Sequence, residues 1–228
     1  MPIFARFPAR VLSAQVIPAA DENLRRYYKL LDNQRSISFF TCDFDDVGYV
    51  ACDEATKMAD VDVVYAASFY AGAGNASSPT AGEFIGILAA ETPADALAGL
   101  RAAAGYIEAG GSFRSADEDG KILFFAENIT SVGTYLSAEA GIPVGSALGY
   151  MIAPPAEATF GLDAALKSAD VSLVKYFAPP SPTNFSGGWV KGTQAACQAA
   201  VDAFAAAVAG MARCPLEPFL SGFMKTLG

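Results

Sequence analysis

With 228 residues, 53% hydrophobic and only 17% charged, the chain can furnish one large core or two of ordinary size. Its net charge of −9, with no Lys/Arg-rich run, lacks the basic footprint that phosphate backbones require, so no nucleic-acid partner is expected. Histidine is absent, which removes the commonest general base and the commonest transition-metal ligand together; no catalytic residue, metal site or cofactor is expected.

Arg6 and Arg10 precede an apolar run broken by Ser13, Gln15 and Pro18, which reads as a strand at 11–17 rather than a secretory signal. A helix is expected at about 23–31 and a strand at 36–42. A helix follows at about 45–58, with Asp45 or Asp46 placed to cap it through a carboxylate. A strand at 60–67 leads into the Gly/Ala/Ser-rich loop 70–79. The apolar run 83–88 then precedes a helix at 93–108, where Pro93 occupies a first helical position and its missing N–H costs nothing. Gly110 and Gly111 end that helix and mark the expected boundary between two domains, 1–110 and 111–228.

The second half repeats the order. Strand 121–125, helix 130–140, strand 147–153, helix 157–168 and strand 170–177 are followed by the Pro/Ser-rich loop 179–188, the apolar Trp189-Val190 and an Ala-rich helix at 194–212. Asp202 interrupts that last segment, and no uninterrupted apolar stretch is long enough to span a bilayer, so no membrane partner is expected. Cys42, Cys52, Cys197 and Cys214 show no Cys-x-x-Cys spacing and read as buried, reduced thiols of a cytosolic protein.

The two halves are copies. Asp53, Ala55, Lys57, Ala59, Asp60, Val61 and Val64 recur as Asp163, Ala165, Lys167, Ala169, Asp170, Val171 and Val174, at a constant offset without a gap. Ser78-Pro79-Thr80 recurs as Ser181-Pro182-Thr183, with a shorter loop before it in the second copy. Alternating strands and helices, used twice, indicate an α/β (α+β) protein of two related units.

The segment Asp163-Ala164-Ala165-Leu166-Lys167-Ser168-Ala169-Asp170-Val171 resembles the signature of bacterial microcompartment shell domains, a helix entering a strand. Two copies in one chain, each with its strand order permuted, resemble the tandem, trimer-forming subclass. The stretches 43–57, 63–83, 153–171 and 179–200 are similar to its ethanolamine-utilisation members. The resemblance implies two circularly permuted ferredoxin-like domains in a non-catalytic homotrimer. Such trimers would tile with other shell proteins in a hexagonal layer, in a cytoplasmic compartment that retains a volatile aldehyde. Small-ligand sensing or cobalamin handling on the same disk, and a shell tile of a different catabolic microcompartment, are the alternatives that the family admits.

Site residues follow at three levels. Asp43, Asp45 and Asp46 form a D-x-D-D cluster readable as a helix cap or as hard-cation ligands, and no Gly-plus-Glu pattern completes a calcium loop. The resemblance adds Asp45 and Glu83 as acceptors for the ammonium of ethanolamine, with Phe113 contributing its backbone. The loops carrying Tyr70, Gly72, Gly74 and Pro79, and Pro182, Asn184 and Phe185, read as flexible connectors; the resemblance makes them a central gate. A nucleotide-binding role for Gly72-Ala73-Gly74 lacks the Gly-Lys-Ser/Thr that would follow. Lys57 and Lys167 are solvated helix residues by pattern and tile-edge lysines by resemblance. Phe39-Phe40 and Phe124-Phe125 are expected in strand cores.

Overall fold

In the first half, β1 (Arg6–Pro8) precedes β2 (Val11–Ile17), α1 (Glu22–Tyr27), β3 (Ser36–Cys42), α2 (Asp45–Met58), β4 (Asp62–Ser68), β5 (Phe84–Ala90) and α3 (Pro93–Gly110). β6 (Ser112–Ser115) leads into β7 (Leu123–Ile129), α4 (Thr134–Ala140), β8 (Ala147–Ala153), α5 (Pro155–Ser168), β9 (Val171–Phe177), β10 (Ser186–Gly192) and α6 (Gln194–Arg213). The structure is a computed structural model that describes residues 4–70, 78–179 and 181–216. Gly72 and Gly74 therefore lie outside the described residues.

The two sheets have the same plan. The first runs β2-β3-β5-β4, and the second contains β7-β8-β10-β9 in the matching order, extended beyond β7 by β6 and β1. All pairings are antiparallel. β1 and β6 straddle the expected boundary at 110–111 and pair Phe7 with Phe113. The N-terminal strand is thus spent on the sheet of the second half.

Period-two alternation explains β3. Phe40 and Cys42 point to the side covered by α2 and α3, whereas Ile37 and Phe39 join a small apolar cluster on the opposite face. β8 is buried along its whole length because both of its faces are covered. Met151 and Ala153 pack with Leu162, Phe204 and Val208 of α5 and α6. Leu148, Tyr150 and Ile152 share a cluster with Val47 and Val50 of α2 and Leu136 of α4. The helix layer of the first half is therefore also the cover for the back of the second sheet.

Several expectations are corrected. The N-cap of α2 is Phe44, with no side-chain hydrogen bond, so Asp45 and Asp46 fall inside the first turn rather than at the cap. α1 is shorter than expected because Lys29 adopts a left-handed φ of 56°, and the Arg25 side chain donates to the carbonyls of Asp32 and Gln34 in the following turn. α6 is long and apolar enough, by length and composition, to cross a membrane. Its apolar stripe, including Val201, Phe204 and Val208, is instead used in the second core. Cys42, Cys52 and Cys197 are buried and free, whereas Cys214 is only partly buried. Trp189 lies on the back of the second sheet between Tyr150 and Phe177, with the Lys175 ammonium 4.7 Å from its ring centroid.

Candidate functional site

α2 starts where β3 ends, and this carries the acidic segment into the seam between the halves. Asp45 and Asp46 sit in the first turn, where exposed N–H groups favour negative charge. Both are nearly fully buried, at 6% and 5% exposure. Burial works against their ionisation far more than a helix end favours it.

A cavity of about 160 Å³ opens beside them, lined by Asp45, Asp46 and Tyr49 of α2, Ser68 of β4, and Ile152, Phe177, Ser181, Pro182, Thr183 and Phe185 of the second half. Thr183 Oγ1 lies 3.4 Å from an Asp45 carboxylate oxygen, and the Asp46 main-chain N–H donates to the other at 3.0 Å. Tyr150 donates its hydroxyl to Asp46 from the back of the second sheet. Tyr49 and Ser68 share a hydroxyl hydrogen bond of 2.8 Å. Ser181 Oγ is buried without a partner.

The electrostatics are one-sided. Burial raises the Asp45 carboxyl above its ordinary value, and burial with the Asp45 charge holds Asp46 well above it. Glu83, which precedes β5, is pushed up to about 7 by its own burial and by the charges of Asp45 and Asp43. Arg10 pairs with Asp43 at 3.0 Å, but none of the ion pairs among the described residues involves Asp45, Asp46 or Glu83. No group of three acidic or sulfur side chains among those residues is arranged to hold a metal ion. Crowded carboxyls without a cation suit a small organic cation that can donate several charge-assisted hydrogen bonds.

Five of the expected site residues lie in or beside this cavity. Asp45, Pro182 and Phe185 line the cavity, Asn184 holds the turn between them with a left-handed φ of 62°, and Glu83 is close enough for Asp45 to perturb it. Phe113 stands one layer back: its ring stacks on Phe44 at 4.7 Å and meets Phe185 edge-on at 5.8 Å. Tyr70 and Pro79 are exposed at the two ends of the first loop.

The two lysines made equivalent by the repeat have different surroundings. Lys57 is drawn inward, donating to the Ser131 carbonyl at 3.0 Å and pairing with Glu54 and Asp53. Lys167 is exposed and pairs with Asp163 at 2.6 Å. Tyr49, Ser68, Tyr150, Ser181 and Thr183 were not legible as site residues. Only Tyr150 carried a signal: a hydroxyl inside an otherwise apolar strand wants a buried partner.

No family model matches the chain. Over 206 residues it is 50% identical to the bacterial microcompartment shell protein EutL of Clostridium perfringens, covering 90% of this chain and 95% of that one. The crystal structure of the ethanolamine utilization protein EutL from Leptotrichia buccalis matches with a TM-score of 0.92 and 51% identity, over 94% of this chain and 99% of that one. A trimeric bacterial microcompartment shell protein, PduB, matches over 85% of each chain with a TM-score of 0.66; at 19% identity it shows the likeness of fold alone.

Proposed function

Because the chain belongs to the EutL family of bacterial microcompartment shell proteins, we propose that it is a pore-bearing tile of an ethanolamine-utilisation compartment in the cytoplasm. Its role is structural rather than catalytic. Three copies form a pseudohexagonal disk of six units, which packs with other shell proteins into a hexagonal layer. Duplication supports this, since two related units per chain let three chains imitate a six-membered ring.

The seam between the halves is the small pore of this tile. Asp45 and Glu83 accept the ammonium of ethanolamine there, and the ligand hydroxyl uses a main-chain partner at Phe113, whose carbonyl keeps a second lone pair beyond any sheet bond. The loops 70–79 and 179–188 form the gate of a wider central pore. Lys167, being exposed, suits the tile edge; Lys57 is committed inside the chain.

The observation that carries this reading is the pair of nearly buried carboxyls, Asp45 and Asp46, facing a cavity between the halves with no cation among the described residues paired to them. Calorimetry with ethanolamine tests it. The wild type should bind, and the Asp45→Ala/Glu83→Ala variant should lose binding while keeping its oligomeric state. Equal affinity in the variant removes the ligand site; images of the pure protein lacking three-fold disks remove the tile.

A further inference from the structure

β6 has two neighbours in its sheet and follows them unequally. It pairs with β1 from Ser112 to Arg114, but with β7 only at Arg114–Phe124 and Ser115–Leu123. β7 goes on with β8 from Phe125 to Ile129. The ribbon of β1 and β6 therefore parts from β7 at Arg114 and leaves a fork at the end of the sheet. A cavity of about 230 Å³ lies there, with Arg6, Ser112 and Arg114 on the ribbon, Glu127 and Asn128 on β7, and Gln198 of α6 in its wall. Asn128 Nδ2 donates to Gln198 Oε1 at 3.2 Å, which ties the far wall to α6.

Alternation decides what the ribbon presents on each side. Phe7 and Phe113 are cross-strand partners, and the Phe113 ring packs with Phe44, Phe125 and Phe185. Arg6 and Arg114 are the next pair along and point the other way. Like charges directly opposite each other on one face of a sheet are destabilising. A chain of net charge −9 nevertheless places two arginines there and gives neither a carboxylate: no ion pair among the described residues involves Arg6 or Arg114. A local rule broken without compensation inside the chain points to something outside it.

The first guanidinium is positioned rather than loose. Arg6 Nε donates to Ser112 Oγ at 2.9 Å, and Arg6 Nη2 donates to the Gly110 carbonyl. Gly110 permits this approach: its φ is 136°, and a Cβ there would lie 2.9 Å from Arg6 Nη2. A guanidinium has further N–H donors in the same plane, and Ser112, which accepts from Arg6, keeps its own hydroxyl proton to donate. The Arg114 guanidinium has no hydrogen-bond acceptor among the described residues. Glu127 sets the charge of the fork. It accepts the Tyr106 hydroxyl at 2.7 Å; burial raises its carboxyl above the ordinary value, and Tyr106, Arg114 and Arg6 draw it back. Two guanidinium groups beside one carboxyl suit a ligand with one negative charge better than one with two.

We infer that this fork is a binding site for a small monocarboxylate, whose two oxygens bridge the Arg6 and Arg114 guanidinium groups with the Ser112 hydroxyl beside them. The planar carboxylate matches the planar donor forks, and each contact is a charge-assisted hydrogen bond. The bound anion also relieves the repulsion between the two arginines. The site lies on the face of the ribbon opposite Phe113 and shares no lining residue with the acidic cavity, so it does not depend on what that cavity binds.

Saturation-transfer NMR on the acetate methyl group, with the full chain at constant ionic strength in sodium chloride, tests it. Wild type should show saturable binding with a Kd on the order of 1 mM, since so small a ligand can gain little more. Arg114→Gln should weaken it about tenfold or more. Arg114→Lys keeps the charge but loses the fork, and should recover only part of that loss. Arg101→Gln, at an exposed arginine of α3, should change nothing. Formate should displace acetate more effectively than sulfate does. Unchanged far-UV circular dichroism of the Arg114 variants separates lost binding from lost folding. No saturable signal from wild type, full affinity in Arg114→Gln, or an equal loss in Arg101→Gln overturns the site. Sulfate competing better than formate overturns the monocarboxylate.

Discussion

Tyr150 donates its hydroxyl to Asp46 across the two halves of the chain, and both side chains are almost fully buried. The partner of a buried carboxyl cannot be removed cheaply, because no water replaces it. Tyr150→Phe should cost about 1–3 kcal/mol in denaturant unfolding. Asp46→Ala/Tyr150→Phe rebuilds the pair that the repeat carries as Ala156 and Phe39, and should recover at least half of that loss. Costs that merely add would show that the two groups do not depend on each other.

Asp53 and Asp163 are the same residue of the repeat in opposite settings. The Asp53 carboxylate is fully buried, holds the start of α4 through Gly133 and Leu136, and lies 3.6 Å from the Lys57 ammonium. Asp163 pairs with Lys167 at the surface. Asp53→Ala should destabilise the chain by about 3 kcal/mol or more, since two N–H groups at the start of α4 lose their acceptor together. Asp163→Ala should stay within about 0.5 kcal/mol. Equal effects in thermal unfolding would count against the asymmetry of the seam.

Gly133 sets how closely α4 approaches α2. Its absent Cβ would lie 2.3 Å from Thr56 Oγ1 and 2.8 Å from the Asp53 carbonyl oxygen, which is main chain and cannot swing away. Gly133→Ala should therefore cost about 1–3 kcal/mol. Adding Thr56→Ser should not rescue it, because the hydroxyl and the carbonyl both remain. A neutral Gly133→Ala by urea unfolding would mean that the halves can part there without penalty.

The strands and helices with a clean period were legible. The bounds 36–42, 45–58 and 147–153 match the observed elements because alternation, a helical stripe or, in 147–153, a continuous apolar run extends through their whole length. β1 and β6, three and four residues long, carry no period; they exist because residues about a hundred positions apart pair. Asp45 and Glu83 entered through resemblance, since a carboxylate at a helix start reads first as a cap. The Asp46–Tyr150 contact is tertiary and has no local signature. The repeat nonetheless held its trace, in the simultaneous exchange of Asp46 for Ala156 and of Tyr150 for Phe39.

The acidic seam should make stability and ligand binding respond to pH in opposite directions. Glu83 in the folded chain titrates at about 7, above an ordinary carboxyl, so between pH 4.5 and 7 the folded state keeps a proton that the unfolded chain has lost. Stability of the ligand-free protein should then fall as pH rises through that window and level off by about pH 8. Glu83→Gln should lessen this fall without moving Arg10 from Asp43, leaving the share that the raised Asp45 and Asp46 carboxyls contribute. An ammonium ligand needs the ionised carboxylate, so affinity for ethanolamine should rise about tenfold from pH 6 to pH 8, with a proton released on binding near pH 6. Calorimetry in two buffers of different ionisation enthalpy counts that proton. An affinity that is flat across the window, or flat only in Glu83→Gln, separates a site that does not use Glu83 from one that does.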